Sequence, residues 1–176
     1  MADGGGPSVA ARDDLAGVVD LFGWLTRAEL SAALSELAFK RRAEADEAAI
    51  DAAIDLAVAE YALVPAPEEA LVGGDEPGGS AEGTALAVGP TAFPTLPDGA
   101  ADLPHILDVS DREVDREPLA DAVLDRLRGE AVAAIDAGDA DRLATLADVT
   151  YDVEAWAPVD MGAVRERIVA ELSNGA

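Results

Sequence analysis

The chain has 176 residues, of which 36 are Asp or Glu and 12 are Lys or Arg, giving a formal charge of −24. Half of the residues are apolar but 39 of those are Ala, so the core is modest and aliphatic, enough for one domain or two very small ones. No Cys and a single His exclude disulfide scaffolds, thiolate and His-rich metal sites, and cysteine nucleophiles.

No apolar run approaches the ~20 residues of a membrane span, and residues 1–8 (MADGGGPS) lack the basic start and apolar stretch of a signal peptide. A cytoplasmic protein without membrane contact is expected. Eleven of the twelve cations are Arg, with Lys40 the single lysine. The acids are spread along the whole chain and interleave with periodic apolar residues, unlike an acidic tail. That composition suits a cytoplasm rich in salt, where self-repulsion is screened.

Residues 1–11 are rich in Gly and Ala and are expected to be disordered. A first helix carries Leu15, Val18, Val19 and Phe22 on one face. A turn at Leu25–Thr26 ends it, and Thr26-Arg27-Ala28-Glu29 has the capping-box pattern that starts a second helix. Its stripe is Leu30, Ala33, Leu34 and Leu37, and Lys40, Arg41 and Arg42 complement the dipole in its last turn. A third helix spans about Glu47 to Glu60, with Ile50, Ile54, Ala57, Val58 and Tyr61 inward. Tyr61–Val64 and Thr84–Val88 read as a β-hairpin joined by a Gly- and Pro-rich flexible loop at 73–83. Three helices and a hairpin over 12–89 follow the order of a winged helix-turn-helix.

Residues 90–116 hold Pro90, Pro94, Pro97 and Pro104, which rules out a long helix. Their Phe93, Leu96, Leu103, Ile106 and Leu107 mark an ordered connector. A helical C-terminal unit is expected over 117–173. It opens with a long helix from about Pro118 to Asp136, striped by Leu119, Val123, Leu127, Ala131 and Ala134 and stopped at Gly138. Asp139 and Asp160 are candidate caps for two further helices. Val149–Trp156 between them reads as strand or irregular. The fold class is mainly α with a small β-hairpin, no parallel sheet, and no more than two or three strands in the first unit.

The stretches DDLAGVVDLFGWLTRAEL, VGPTAFPTLPDGAADLPHILDV and YDVEAWAPVD resemble an uncharacterised family of acidic haloarchaeal proteins, a domain of unknown function, over Asp13 to Leu172. The resemblance implies a cytoplasmic protein of extreme halophiles. It brings no activity and no catalytic residues.

Four kinds of chemistry are open to these residues. DNA binding by a winged helix needs basic or amide side chains on the third helix, whose outward face offers Ala48, Asp51, Ala52, Asp55 and Ala59. Lys40, Arg41 and Arg42 are the candidate nucleic-acid contacts of that reading. Asp108, Asp111 and Asp115, on one helical face, and Asp136, Asp139 and Asp141 do not match a calcium loop, so no metal or other cofactor is expected. Carboxylate pairs carry no specificity among 36 acids, and His105, flanked by apolar residues, reads as a packed structural His. Trp24, Phe39 and Trp156 fall off the buried stripes and are candidate partner-binding residues. The expected function is that of a non-catalytic interaction or accessory protein adapted to high salt, with an unknown protein partner. A DNA-binding regulator and an enzyme with a carboxylate/His site are the alternatives.

Charge generates the first prediction. Lowering salt lengthens the screening distance from ~3 Å at 1 M to ~10 Å at 0.1 M. Circular dichroism melts should therefore show the melting temperature falling steadily from 3 to 0.1 M KCl. A flat profile would mean that the carboxylates are compensated otherwise.

Overall fold

The computed structural model describes residues 9–44, 46–74, 83–109 and 111–175. The protein is mainly helical with small antiparallel sheets, in two units that divide between Asp115 and Arg116.

In the first unit, α1 (Val9–Phe22) buries Leu15, Val18, Val19 and Phe22, the stripe read from the sequence. It begins at Val9, so the expected disordered segment does not extend to residue 11; residues 1–8 lie outside the described residues. Where a turn was expected, Leu25–Thr26 form a two-residue strand, β1. α2 (Arg27–Lys40) starts at the capping box: Glu29 N–H donates to Thr26 Oγ1 at 3.2 Å, and Thr26 N–H donates to Glu29 Oε2 at 2.8 Å. α3 (Glu47–Ala59) is capped by Asp46, whose Oδ1 accepts from the amides of Ala48 and Ala49. Packing of α1, α2 and α3 puts Leu30, Ala33, Leu37, Ile54 and Ala57 into one core.

Beyond α3 lie β2 (Leu63–Pro65), β3 (Leu71–Gly73) and β4 (Ala85–Val88). β2 and β4 pair antiparallel, with Leu63 opposite Val88 and Pro65 opposite Leu86, so the expected hairpin strands do meet. β1 pairs on the other side of β4, which makes a three-stranded sheet of order β1-β4-β2. The excursion between β2 and β4 carries β3, which pairs with β5 (Arg112–Val114) from the connector in a separate ribbon. Strands of two or three residues are too short to show a period, and their partners are far away in sequence. For that reason residues 12–89 hold four strands, more than the two or three expected, and a fifth lies in the connector. The tip of the expected flexible loop, residues 75–82, lies outside the described residues.

The Pro-rich connector runs along α1. Thr95 N–H donates to Asp13 O at 3.0 Å, and Phe93 N–H donates to Asp13 Oδ1 at 3.1 Å. A Cβ on Gly17 would stand 2.0 Å from Thr95 O, so this approach requires glycine. The connector also holds a short helix, α4 (Leu103–Leu107), with Leu103 fully buried.

The second unit comprises α5 (Arg116–Ala137), α6 (Ala140–Trp156) and α7 (Gly162–Asn174). α5 buries Leu119, Val123, Leu127, Ala131 and Ala134, as its stripe required, and Gly138 at φ 64° ends it. Asp139 caps α6 by accepting from Arg142 N–H at 2.9 Å. α6 then continues through Val149–Trp156, the segment that reads as strand or irregular in sequence. Val149, Thr150, Tyr151 and Val153 have strand propensity, but Leu143, Leu146, Val149 and Val153 recur on one helical face and are all buried. Burial of that stripe outweighs local preference. Asp160 Oδ1 accepts from Gly162 N–H at 2.8 Å at the start of α7, whose Ile168 is buried.

Gly17→Ala should destabilise the protein by about 1–3 kcal/mol, because the opposing atom is backbone and cannot swing away. Denaturant unfolding at fixed high salt measures it.

Candidate interaction surface

Of the three aromatic residues expected to bind a partner, Trp24 is withdrawn from solvent, at 1% exposure. The guanidinium of Arg112, on β5, stacks over the indole at 4.0 Å from the ring centroid. Gly74 covers the same ring so closely that a Cβ there would lie 2.7 Å from it. The residue just past α1 is thus a core residue, roofed by the β3–β5 ribbon. No periodic signal could reveal this, since the roof comes from residues far along the chain. Phe39, by contrast, stands 76% exposed on α2, as expected. Trp156, in the second unit, is partly covered by Arg116, whose guanidinium lies 4.9 Å from its ring centroid.

Arg112 was not among the candidates, yet it organises this region. Its side chain is 5% exposed. Nη1 and Nη2 donate to Glu29 Oε2 and Oε1 at 2.7 and 2.8 Å, and Nη1 also donates to Trp24 O at 3.2 Å. Burial raises the Glu29 pKa, but the Arg112 hydrogen bonds, the Thr26 amide and the guanidinium charge outweigh it and hold the carboxyl below its ordinary 4.5. One carboxylate therefore caps α2 and anchors β5.

Two of the three candidate nucleic-acid contacts, Lys40 and Arg41, are engaged within the protein. Lys40 Nζ donates to Gly99 O at 3.3 Å and lies 3.4 Å from Asp102 Oδ2. Arg41 Nη2 donates to Asp98 O at 3.2 Å, which brings these two residues together on the connector. Arg42 is exposed, with φ 53°. The other cations follow the same pattern. Arg12 pairs with Glu60, Arg27 with Asp51 and Asp55, Arg126 and Arg142 with Glu130, Arg128 with Asp125, and Arg165 with Glu154. Glu130, which burial alone would raise, is held below the usual range by its two Arg partners. Arg165 also donates to Thr150 Oγ1 at 2.8 Å and stacks over Tyr151. Ala48, Asp51, Ala52, Asp55 and Ala59 of α3 are exposed, as read from the sequence.

An apolar groove of about 380 Å³ opens where α1, α2 and α3 meet. Leu15, Leu34, Leu37, Ile50 and Ala53 line it, with Asp14, Arg41 and Asp46 at the rim. Each wall residue except Ala53 belongs to a helical stripe, but the gap left between stripes is a property of three-dimensional packing.

Among the described residues, the candidates for chemistry read from the sequence lie apart. His105 is exposed on α4, not packed, because Leu103 faces the core and a position two residues further points away from it. Asp108, Asp111 and Asp115 share no helical face: α4 ends at Leu107, and β5 occupies 112–114. Asp139 is a helix cap. Among the described residues, no group of three His, Asp or Glu side chains is placed to hold a metal ion, and no helix is long and apolar enough to cross a membrane.

A family model matches residues 13–173, and the chain belongs to that family, a family of unknown function (DUF7109). No curated protein matches the chain. No solved structure matches it either.

The Glu29–Arg112 pair yields a prediction in two parts. Glu29→Ala leaves a buried guanidinium without its carboxylate and should cost about 3–5 kcal/mol. Because the folded-state pKa is depressed, the pair's contribution is complete above pH ~4.5 and is lost as pH falls through the lower folded value. Acid unfolding followed by Trp fluorescence should therefore show a smaller pH-dependent loss below 4.5 in Glu29→Gln than in the parent.

Proposed function

We propose that the protein is a non-catalytic interaction or accessory protein of a salt-rich cytoplasm, and that its first unit is a winged helix that does not read DNA. The order α1–β1–α2–α3–β2–β4, with β1 added beside a β2–β4 pair, supports the winged-helix reading. In such a unit the exposed face of α3 would meet the major groove. That face presents methyl groups and two carboxylates, and Arg27, the cation nearest to it, is bound to both, with Asp55 at 2.8 Å and Asp51 at 3.6 Å.

The observation that carries the reading is the use of the cations. Eight of the twelve sit in ion pairs with carboxylates of the same chain, and Arg41 is bound to a backbone carbonyl. Phosphate binding through those eight cations would have to break their pairs on a body of charge −24. The groove between α1, α2 and α3, with exposed Phe39 on the same helix α2, is the surface left for a protein partner. The charge and the Arg preference support a salt-adapted, cytoplasmic, archaeal setting.

Fluorescence anisotropy with labelled genomic duplexes from 0.1 to 2 M KCl should show no sequence-specific binding. Specific binding that disappears on changing Lys40, Arg41 and Arg42 together to Ala would establish the regulator reading instead. In molar KCl, the tagged protein should retain a defined partner that Phe39→Ala loses by about tenfold or more, equivalent to ~1.4 kcal/mol.

A further inference from the structure

We propose that α5 pairs antiparallel with α5 of a second copy of this chain, about a two-fold axis at Val132. The proposal stands on the second unit alone and does not depend on the reading of the first. Val132 is 56% exposed on a helix whose opposite face is fully packed. Beside it, α5 and α7 enclose an apolar groove of about 240 Å³, floored by Ala131 and Ile168 and walled by Val132, Ile135 and Val164. Its rim carries Arg128 and Arg167, on a surface that is otherwise mainly acidic.

A second copy fits this face because its pattern is its own complement. Four residues before Val132 stands Arg128, and four residues after it stands Asp136, both exposed. Each lies about 6 Å along the axis and 40° from the Val132 direction, on opposite sides of it. Antiparallel pairing about Val132 therefore brings each Arg128 level with the other copy's Asp136, at two equivalent places. Arg128 is free to turn, since its contact with Asp125 is 3.5 Å long and both side chains are more than half exposed. Asp121 and Asp125 are exposed on the same face of α5, within about 20° of the Val132 direction, and each copy carries −24, so the pair needs screening and forms at molar salt.

Sedimentation equilibrium of the full chain in 2 M KCl should give twice the 18.0 kDa monomer mass at tens of micromolar. Dissociation should follow when KCl is lowered to 0.2 M. Arg128→Asp and Asp136→Arg should each weaken self-association by about tenfold or more. Mixing those two variants, or combining both changes in one chain, should restore it, since the charges are then exchanged and still opposite. Helical circular dichroism of each variant confirms that it is folded. A chain that is monomeric in 2 M KCl at all concentrations would overturn the proposal, which would leave the groove to a different protein. A dimer indifferent to both single changes, or not restored by the exchange, would overturn it equally.

Discussion

The first unit depends on a buried arginine meeting a helix cap. Arg112 reaches from β5 to Glu29, which already closes the capping box of α2, and it stacks on Trp24 at the end of α1. Three segments that no hydrophobic stripe connects are thereby fixed in one place. A bidentate Arg–carboxylate pair is directional in a way that aliphatic contact is not. A core made so largely of Ala, Val and Leu has few large shapes to interlock, and a directional contact supplies the missing definition. A lysine could offer neither the two parallel hydrogen bonds nor the flat face laid on the indole.

The same chemistry recurs in the second unit. Arg165 joins Thr150, Tyr151 and Glu154 of α6 to α7, and Arg126 and Arg142 share Glu130 between α5 and α6. Each motif places a planar cation between helices and satisfies it with a carboxylate whose pKa is drawn down, by Arg165 at Glu154 and by Arg142 and Arg126 at Glu130. The scarcity of lysine in the chain then has a structural reason. Most cations here act as internal ties, a task for guanidinium, whereas the solvent-facing surface is mainly acidic.

What could be read from the sequence was what repeats locally. The stripes of α1, α2, α3 and α5, the Thr26–Glu29 box and the exposure of Phe39 all follow from spacing within a few residues. Trp24 was misplaced because the ribbon that buries it is assembled from residues 71–74 and 111–114. The end of α6 was obscured by β-branched residues whose helical burial outweighs their local preference. His105 was misjudged by its apolar neighbours, since adjacency in a short helix does not mean a shared face. The groove between α1, α2 and α3 had no sequence signal, because it is defined by where side chains stop short of one another.

The distance along the chain between Glu29 and Arg112 also shapes how the protein comes to be folded. Their contact closes a loop of 83 residues, and β1, β2 and β4 similarly join positions tens of residues apart. Contacts of that span are slow to form, because chain entropy must be lost before they can stabilise anything. During synthesis, α1, α2 and α3 emerge from the ribosome well before β5 exists, and Trp24 stays uncovered throughout that interval. The second unit, whose ion pairs all lie within some fifteen residues, can close as quickly as it is made. The first unit is therefore the slower to mature, and the time for which its apolar surface stays accessible is set by the rate of translation across the Pro-rich connector.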